Sequence, residues 1–349
     1  MKNKLIKKHQ FFTYSELINK LKTKGLKIVN EPKLINYFVK FNYQNVINGY
    51  KKPFLTEYIY KKYLPTANSQ MIIDFFNFNR TISKMIINDL HAIEMQLSSC
   101  IAYKLMEIIN KLHPGKTSID VLSSDQKSKL FKSNNSKKII NENLQKNFDE
   151  LKENKEYIDS HWSSWEEVPL YSLSLMWTFG VSIKLFTCLN DEIKQDILAK
   201  FVAIKNININ TFISLLYCFK DLRNKISHNE PIYKFKFDLY KLVYKTWLLD
   251  SRKSWTNLKE IIINDLNQLL LVDHSLKSNF KLYWVIKIIA KVTNNFKLVT
   301  LFKQKANKLA LAIGGSYIIS EVNNNIYLPC EKAWNNVSDF LGYDSDWVN

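Results

Sequence analysis

The chain has 349 residues, 46% of them apolar and 13% aromatic, with only seven Gly and seven Pro and a formal charge of +18. That composition excludes a disordered chain and a turn-rich β fold, and predicts an all-α protein able to bury a large core. No charged-then-apolar leader and no uninterrupted apolar span of about 18 residues occurs, so a cytoplasmic protein that does not enter a membrane is expected.

The positive charge is unevenly spread. Residues 1–62 hold fourteen Lys against three acids, Glu16, Glu31 and Glu57, and so carry eleven of the eighteen net charges. Such concentration predicts a face for a polyanion, RNA above all. Residues 1–66 read as short basic, aromatic-rich helices around a break at Gly25. Tyr37, Phe38, Phe41, Tyr43, Tyr50 and Phe54 run beside Lys40, Lys51, Lys52, Lys61 and Lys62, which are the candidate RNA-binding lysines. Stacking rings among cations suit single-stranded RNA, although aromatics at helical spacing ordinarily pack in a core.

Residues 80–112 give the clearest helix. Ile82, Ile86, Leu90, Ile93, Leu97, Ile101, Leu105 and Ile108 hold one face until His113-Pro114-Gly115 stops it. Asp89 and Glu94 lie off that stripe; a carboxylate near the later helix that carries Arg223 and His228 could orient either of them, but a solvated face is the expected role for both. Residues 114–160 turn polar around Asn134-Asn135-Ser136-Lys137-Lys138, which predicts an exposed insertion carrying one or two surface helices, one over 140–155. The chain re-enters a core at 162–189, where Gly180 is expected to let two helices approach closely. Beyond residue 235 the pattern stays helical over Leu239–Leu249, Leu258–Leu270, Tyr283–Val292 and Leu298–Leu311, with room for a short hairpin at 313–327. The domain boundaries follow as 1–66, 67–250 with its polar insertion at 114–160, and 251–349. Cys100, Cys188, Cys218 and Cys330 are far apart; the first three sit in apolar helical stretches and read as core thiols. The scattered His9, His91, His113, His161 and His274 argue no metal site, and no cofactor motif occurs.

The stretch 215–233, LLYCFKDLRNKISHNEPIY, carries the chemistry. As a helix it places Leu215, Phe219, Leu222 and Ile226 on one face toward a core. Asn224 and His228 then lie roughly opposite, with Arg223 on the flank. Asn208 or Asn210 can cap its start, while Asn229 and Pro231 end it. An imidazole gives or takes a proton near neutrality, a guanidinium grips phosphate with two parallel bonds, and an amide can orient both. Only three of the 50 Lys+Arg residues are arginine, Arg80, Arg223 and Arg252, so fork geometry at position 223 matters in a chain that otherwise uses lysine.

The sequence Arg223-Asn224-Lys225-Ile226-Ser227-His228 resembles the R-N-x3-H signature of the HEPN superfamily of helical ribonucleases. Its surroundings resemble the abortive-infection (Abi) proteins of the AbiD/AbiF type. Tyr14-Ser15-Glu16-Leu17 with Gly25-Leu26, Tyr43 through Gly49-Tyr50 and Pro53-Phe54, and Asp89 to Glu94 are similar to successive family segments. So are His161 with Pro169-Leu170 and Phe179-Gly180, where Tyr171 replaces an expected Trp, and Phe340-Leu341-Gly342-Tyr343 with Trp347, where Asp344 replaces a proline. The resemblance implies a HEPN-type helical bundle with extra N-terminal and C-terminal helical regions. It further implies a metal-independent endoribonuclease of antiphage defence or a toxin–antitoxin pair. Arg223, Asn224 and His228 would be catalytic, no cofactor would be needed, and a small structured non-coding RNA is a candidate partner or inhibitor. His161 is placed near the site by resemblance alone. One helix sets Arg223 and His228 about 140° apart around its axis, and related nucleases pair their motifs, so a homodimer is expected. The alternative is a non-catalytic RNA-binding or phage-sensing module on the same fold.

Overall fold

The computed structural model of the chain describes residues 11–56, 62–133, 164–238, 254–270, 279–314 and 331–341, with scattered positions between 138 and 149. Among the described residues the fold is all-α apart from two three-residue strands. By contacts it forms two units, one from Met1–Ser83, Asn229–Lys234 and Thr300–Asn349, the other from Lys84–His228 and Phe235–Val299. Among the described residues no helix is long and apolar enough to cross a membrane.

In the first unit, α1 (Tyr14–Thr23) opens with a reciprocal capping box between Thr13 and Glu16. Gly25 ends that stretch with φ +89°, a conformation that favours glycine. Asn30 caps α2 (Glu31–Phe41), and Asn42, with φ 67°, turns the chain away. A π-helical turn (Gln44–Asn48) and a 3-10 turn (Lys52–Phe54) follow. The core gathers on Tyr233, fully buried, whose ring lies 4.6 Å from Phe75, 5.5 Å from Tyr50 and 5.6 Å from Phe340. Its backbone N–H donates to Asn79 and its hydroxyl to the Gly49 carbonyl, at 3.1 and 2.8 Å. From α12 (Glu331–Leu341), Asn336 donates to the Pro53 carbonyl.

The long helix α3 (Ser69–Leu112) begins eleven residues before the expected 80. Met71, Ile72, Ile73, Phe75, Phe76 and Phe78 are all buried, and only Gln70, Asp74 and Asn77 break this run with a narrow, half-buried polar stripe, so the one-sided period that marks a helix is weak here. Asn68 caps it by accepting from the N–H groups of Gln70 and Met71. Further along, Ile82, Ile86, Leu90, Ile93, Leu97, Ile101 and Leu105 are buried as the spacing predicts, and Ile109, not Ile108, takes the last place. Each such side chain contributes roughly 1.5–3 kcal/mol of burial.

The second unit packs α6 (Phe179–Cys188), α7 (Asp191–Leu198) and α9 (Trp255–Leu270) against α8 (Ile209–Ser227), with α4 (Ser124–Leu130), α5 (Leu170–Ser174) and α10 (Leu282–Val292) completing it. The rings of Phe186 and Phe201 meet Phe212 of α8 at 5.4 and 4.8 Å. Part of the expected polar insertion is anchored here: Ile119, Leu122, Leu130 and Phe131 are buried, and Phe131 bridges to Leu189. A Cβ on Gly180 would meet only Lys220 and Thr178, at 3.8 and 3.9 Å, so close packing there does not require glycine. In the gaps just before the helices expected at 239–249 and 283–292, β1 (Lys236–Asp238) pairs antiparallel with β2 (Asn279–Lys281). Their separation of some forty residues leaves no local hairpin signal. Last, α11 (Lys297–Gly314) covers the expected 298–311. The helix expected at 239–249, the hairpin at 313–327, His161, Cys330, and the closing residues Gly342, Tyr343, Asp344 and Trp347 lie outside the described residues.

Candidate active site

The site is the end of α8. From Asn210 to Leu216, and at Cys218, Phe219 and Leu222, the helix is buried. Arg223, Asn224, Lys225 and Ile226 are half-buried, and Ser227 and His228 are exposed. The apolar stripe therefore ends one turn early: Ile226, expected in the core, lies at its margin because the helix is already emerging.

Both ends of α8 are fixed. Asn208 is the cap, accepting from the Asn210 N–H, while Asp265 of α9 accepts from the Asn208 N–H at 2.8 Å and from the Thr211 hydroxyl. At the other end the His228 N–H donates to the Asn224 carbonyl at 3.0 Å, and Asn229 takes φ 54°. The last turn is thus regular α-helix through Ser227. Arg223 and His228 keep the separation of about 140° that five helical steps impose.

Glu94 of α3 orients the arginine. Its Oε2 stands 3.6 Å from Arg223 Nε, with the two side chains 14% and 32% exposed. The Nε is shut off from solvent and has no hydrogen-bond partner, so Glu94 is its nearest compensation for burial. At the other face of the guanidinium, Nη1 donates to Asn224 Oδ1 at 3.5 Å. The arginine is thereby held between a charge on one helix and an amide on its own. His228 is exposed, and among the described residues its ring has no partner.

The expected solvated face for Asp89 and Glu94 is overturned. Glu94 meets Arg223, and Asp89 accepts from Thr293 Oγ1 at 2.9 Å and from Asn295 Nδ2 at 3.0 and 3.2 Å, tying α3 to the end of α10. Helical position shows that a carboxylate lies off the apolar stripe, but not whether water or another helix lies there. Glu94 is therefore the site residue that sequence spacing leaves undistinguished.

The candidate RNA-binding lysines all belong to the first unit. Lys40 and Lys62 are exposed. Lys51 donates to Asn48, and Lys52 stands over the Phe340 ring at 4.9 Å. Lys61 lies outside the described residues. Of the aromatics beside them, Phe38, Tyr50 and Phe54 are core, while Tyr37, Phe41 and Tyr43 are half-buried. Burial pushes the Tyr43 and Tyr50 hydroxyls upward, Tyr50 far above the usual tyrosine range. Cys188 and Cys218 are buried free thiols, and burial raises the Cys218 thiol; Cys100 is half-buried. Among the described residues no group of three His, Cys, Asp or Glu side chains is arranged to hold a metal ion.

The family described as Abi-like protein matches residues 36–234, more than half of the chain, from α2 through the whole of α8. No curated protein and no solved structure matches the chain.

Proposed function

We propose that this chain, which belongs to the Abi-like protein family, is a cytoplasmic, metal-independent endoribonuclease of the HEPN kind that acts in abortive infection. One observation carries the reading: an oriented guanidinium and an exposed imidazole end the same buried helix. Phosphodiester transfer asks for these two groups. A ribose 2′-hydroxyl attacks the adjacent phosphorus and surrenders its proton, the bond to the 5′-oxygen breaks, and that oxygen takes up a proton. The products are a 2′,3′-cyclic phosphate and a 5′-hydroxyl. His228 moves a proton at one of these oxygens, Arg223 stabilises the charge gathering on the phosphate, and Asn224 with Glu94 holds the guanidinium in place.

The regular last turn supports a two-chain site. One copy presents Arg223 and His228 on different sides of α8, whereas two copies related by a two-fold axis can bring both kinds of side chain to one cleft. We therefore read the active form as a homodimer with the ends of α8 at its interface, open to control by a small structured RNA. Complementation tests it. Arg223→Ala and His228→Ala homodimers should each be inactive, while co-refolded mixtures should recover cleavage. A fully active monomer in sedimentation at the assay concentration would rule the paired site out.

A further inference from the structure

Arg80, unused by the chemistry above, stands in the first unit on the opening turns of α3. Its guanidinium carbon lies 4.7 Å from the centre of the Phe41 ring and 5.7 Å from that of Phe76. Tyr37 joins the same shelf, 5.7 Å from Phe41 and 6.1 Å from Phe76, with its hydroxyl accepting from Asn77 at 2.9 Å. Buried Tyr50 supports Phe76 from within at 5.3 Å. Arg80 rests half-buried on that shelf.

Arg80 also lacks a charge partner. Among the described residues no carboxylate pairs with it and no hydrogen bond engages it, yet none of its nitrogens is a buried orphan. Its donors are open to solvent beside half-buried Tyr37 and Phe41. A stacked guanidinium has little freedom left to lose on binding, and its planar fork suits a phosphate. Rings at its margin offer a base a stacking surface. A structural explanation competes: Phe41 is the last residue of α2, where the helix dipole favours any cation. A lysine would satisfy that, and this chain uses lysine at all but three of its 50 basic positions.

We propose that Arg80, with Tyr37 and Phe41, forms a phosphate-and-base contact for single-stranded RNA, apart from the cleavage chemistry at Arg223 and His228. It rests on the reading of the chain as RNA-acting. The test uses the full chain carrying His228→Ala, so that RNA is held and not cut, with a labelled oligouridylate of about 12 nucleotides, within the span such surfaces cover. Adding Arg80→Gln should weaken binding about tenfold and lower the salt slope by about 0.7. Arg80→Lys should keep the slope and still weaken binding, because the fork is gone. Unchanged binding in a folded Arg80→Gln chain would overturn the contact and leave Arg80 to the end of α2. Should that variant fail to fold, crosslinking of 4-thiouridine RNA to the chain with Arg80 intact decides: adducts on peptides holding Tyr37 or Phe41 support the contact, and adducts only elsewhere overturn it. Polyglutamate displacing the RNA at equal charge would make this an acidic-peptide surface instead and overturn the RNA assignment. A parent chain that binds no RNA at all would defeat the functional reading as well, a different result from loss confined to Arg80.

Discussion

Arg223 and Arg80 are two half-buried arginines in a chain of lysines, and they are held in opposite ways. Arg223 is fixed by charge, with Glu94 at 3.6 Å and an amide beside it. Arg80 is fixed by ring faces, and among the described residues no carboxylate compensates its charge. A guanidinium beside a carboxylate is strongly oriented but partly neutralised, which suits a group that must meet charge only as it develops in a transition state. A guanidinium on aromatic faces is oriented without being neutralised, which suits ground-state binding of a phosphate. The difference teaches that the same side chain can serve rate in one setting and affinity in another.

The largest expected effect comes from removing the reactive groups. His228→Ala should lower cleavage by at least about a hundredfold, with melting unchanged because the side chain is exposed. Arg223→Lys should fall nearly as far, since it keeps the charge and loses the fork. Retained cleavage in either, measured on folded protein, would break the assignment of chemistry to α8.

Next comes a contrast between the two acids of α3. Glu94→Gln should cut the cleavage rate about tenfold by freeing the guanidinium, with little loss of RNA affinity. Asp89→Ala should instead cost about 1–2 kcal/mol of stability through its lost hydrogen bonds, with the rate per folded molecule preserved. Equal effects on rate would erase the distinction between an orienting acid and a strut.

A smaller effect is expected at the far end of α8. Asp265→Ala strands the Asn208 N–H and the Thr211 hydroxyl, and should lower stability by about 1–2 kcal/mol in urea unfolding, without a change in the pH dependence of cleavage.

The smallest is a pH effect at Lys194, whose side chain is 1% exposed and shares Asp191 with Lys132. Burial, helped by the Lys132 charge and opposed by Asp191, pushes its amine down to about 8. Between that value and the usual lysine range the unfolded chain binds more protons, so this group's penalty is full below pH 8 and is relieved as pH rises. Lys194→Met should therefore stabilise the protein near pH 7 by about 1–3 kcal/mol, with the advantage shrinking toward pH 10. A constant advantage across that range would refute the linkage.

Much of this was legible in the sequence, for identifiable reasons. The stripe from Ile82 to Leu105, the cap at Asn208 and the stop at Asn229 are signals that one helix writes into its own residues. The family also follows from ordered segments along one chain. What was hidden depends on a second element. The first eleven residues of α3 are mostly buried, with only the narrow polar stripe of Gln70, Asp74 and Asn77 to mark an outer side. Glu94 reads like any surface acid until Arg223 is brought beside it, and Arg80 reads like a surface cation until Phe41 and Phe76 lie under it. The paired strands at 236–238 and 279–281 are likewise invisible to local pattern.

The central claim is that Arg223 and His228 cut RNA by transfer to the neighbouring 2′-hydroxyl. Purified chain should be incubated with RNA in excess EDTA, and the new ends identified by their response to kinase and phosphatase treatment. The account predicts 2′,3′-cyclic phosphate and 5′-hydroxyl ends from the wild type and none from His228→Ala. Cleavage that needs added Mg²⁺ or Mn²⁺, or that leaves 5′-phosphate ends, would contradict it.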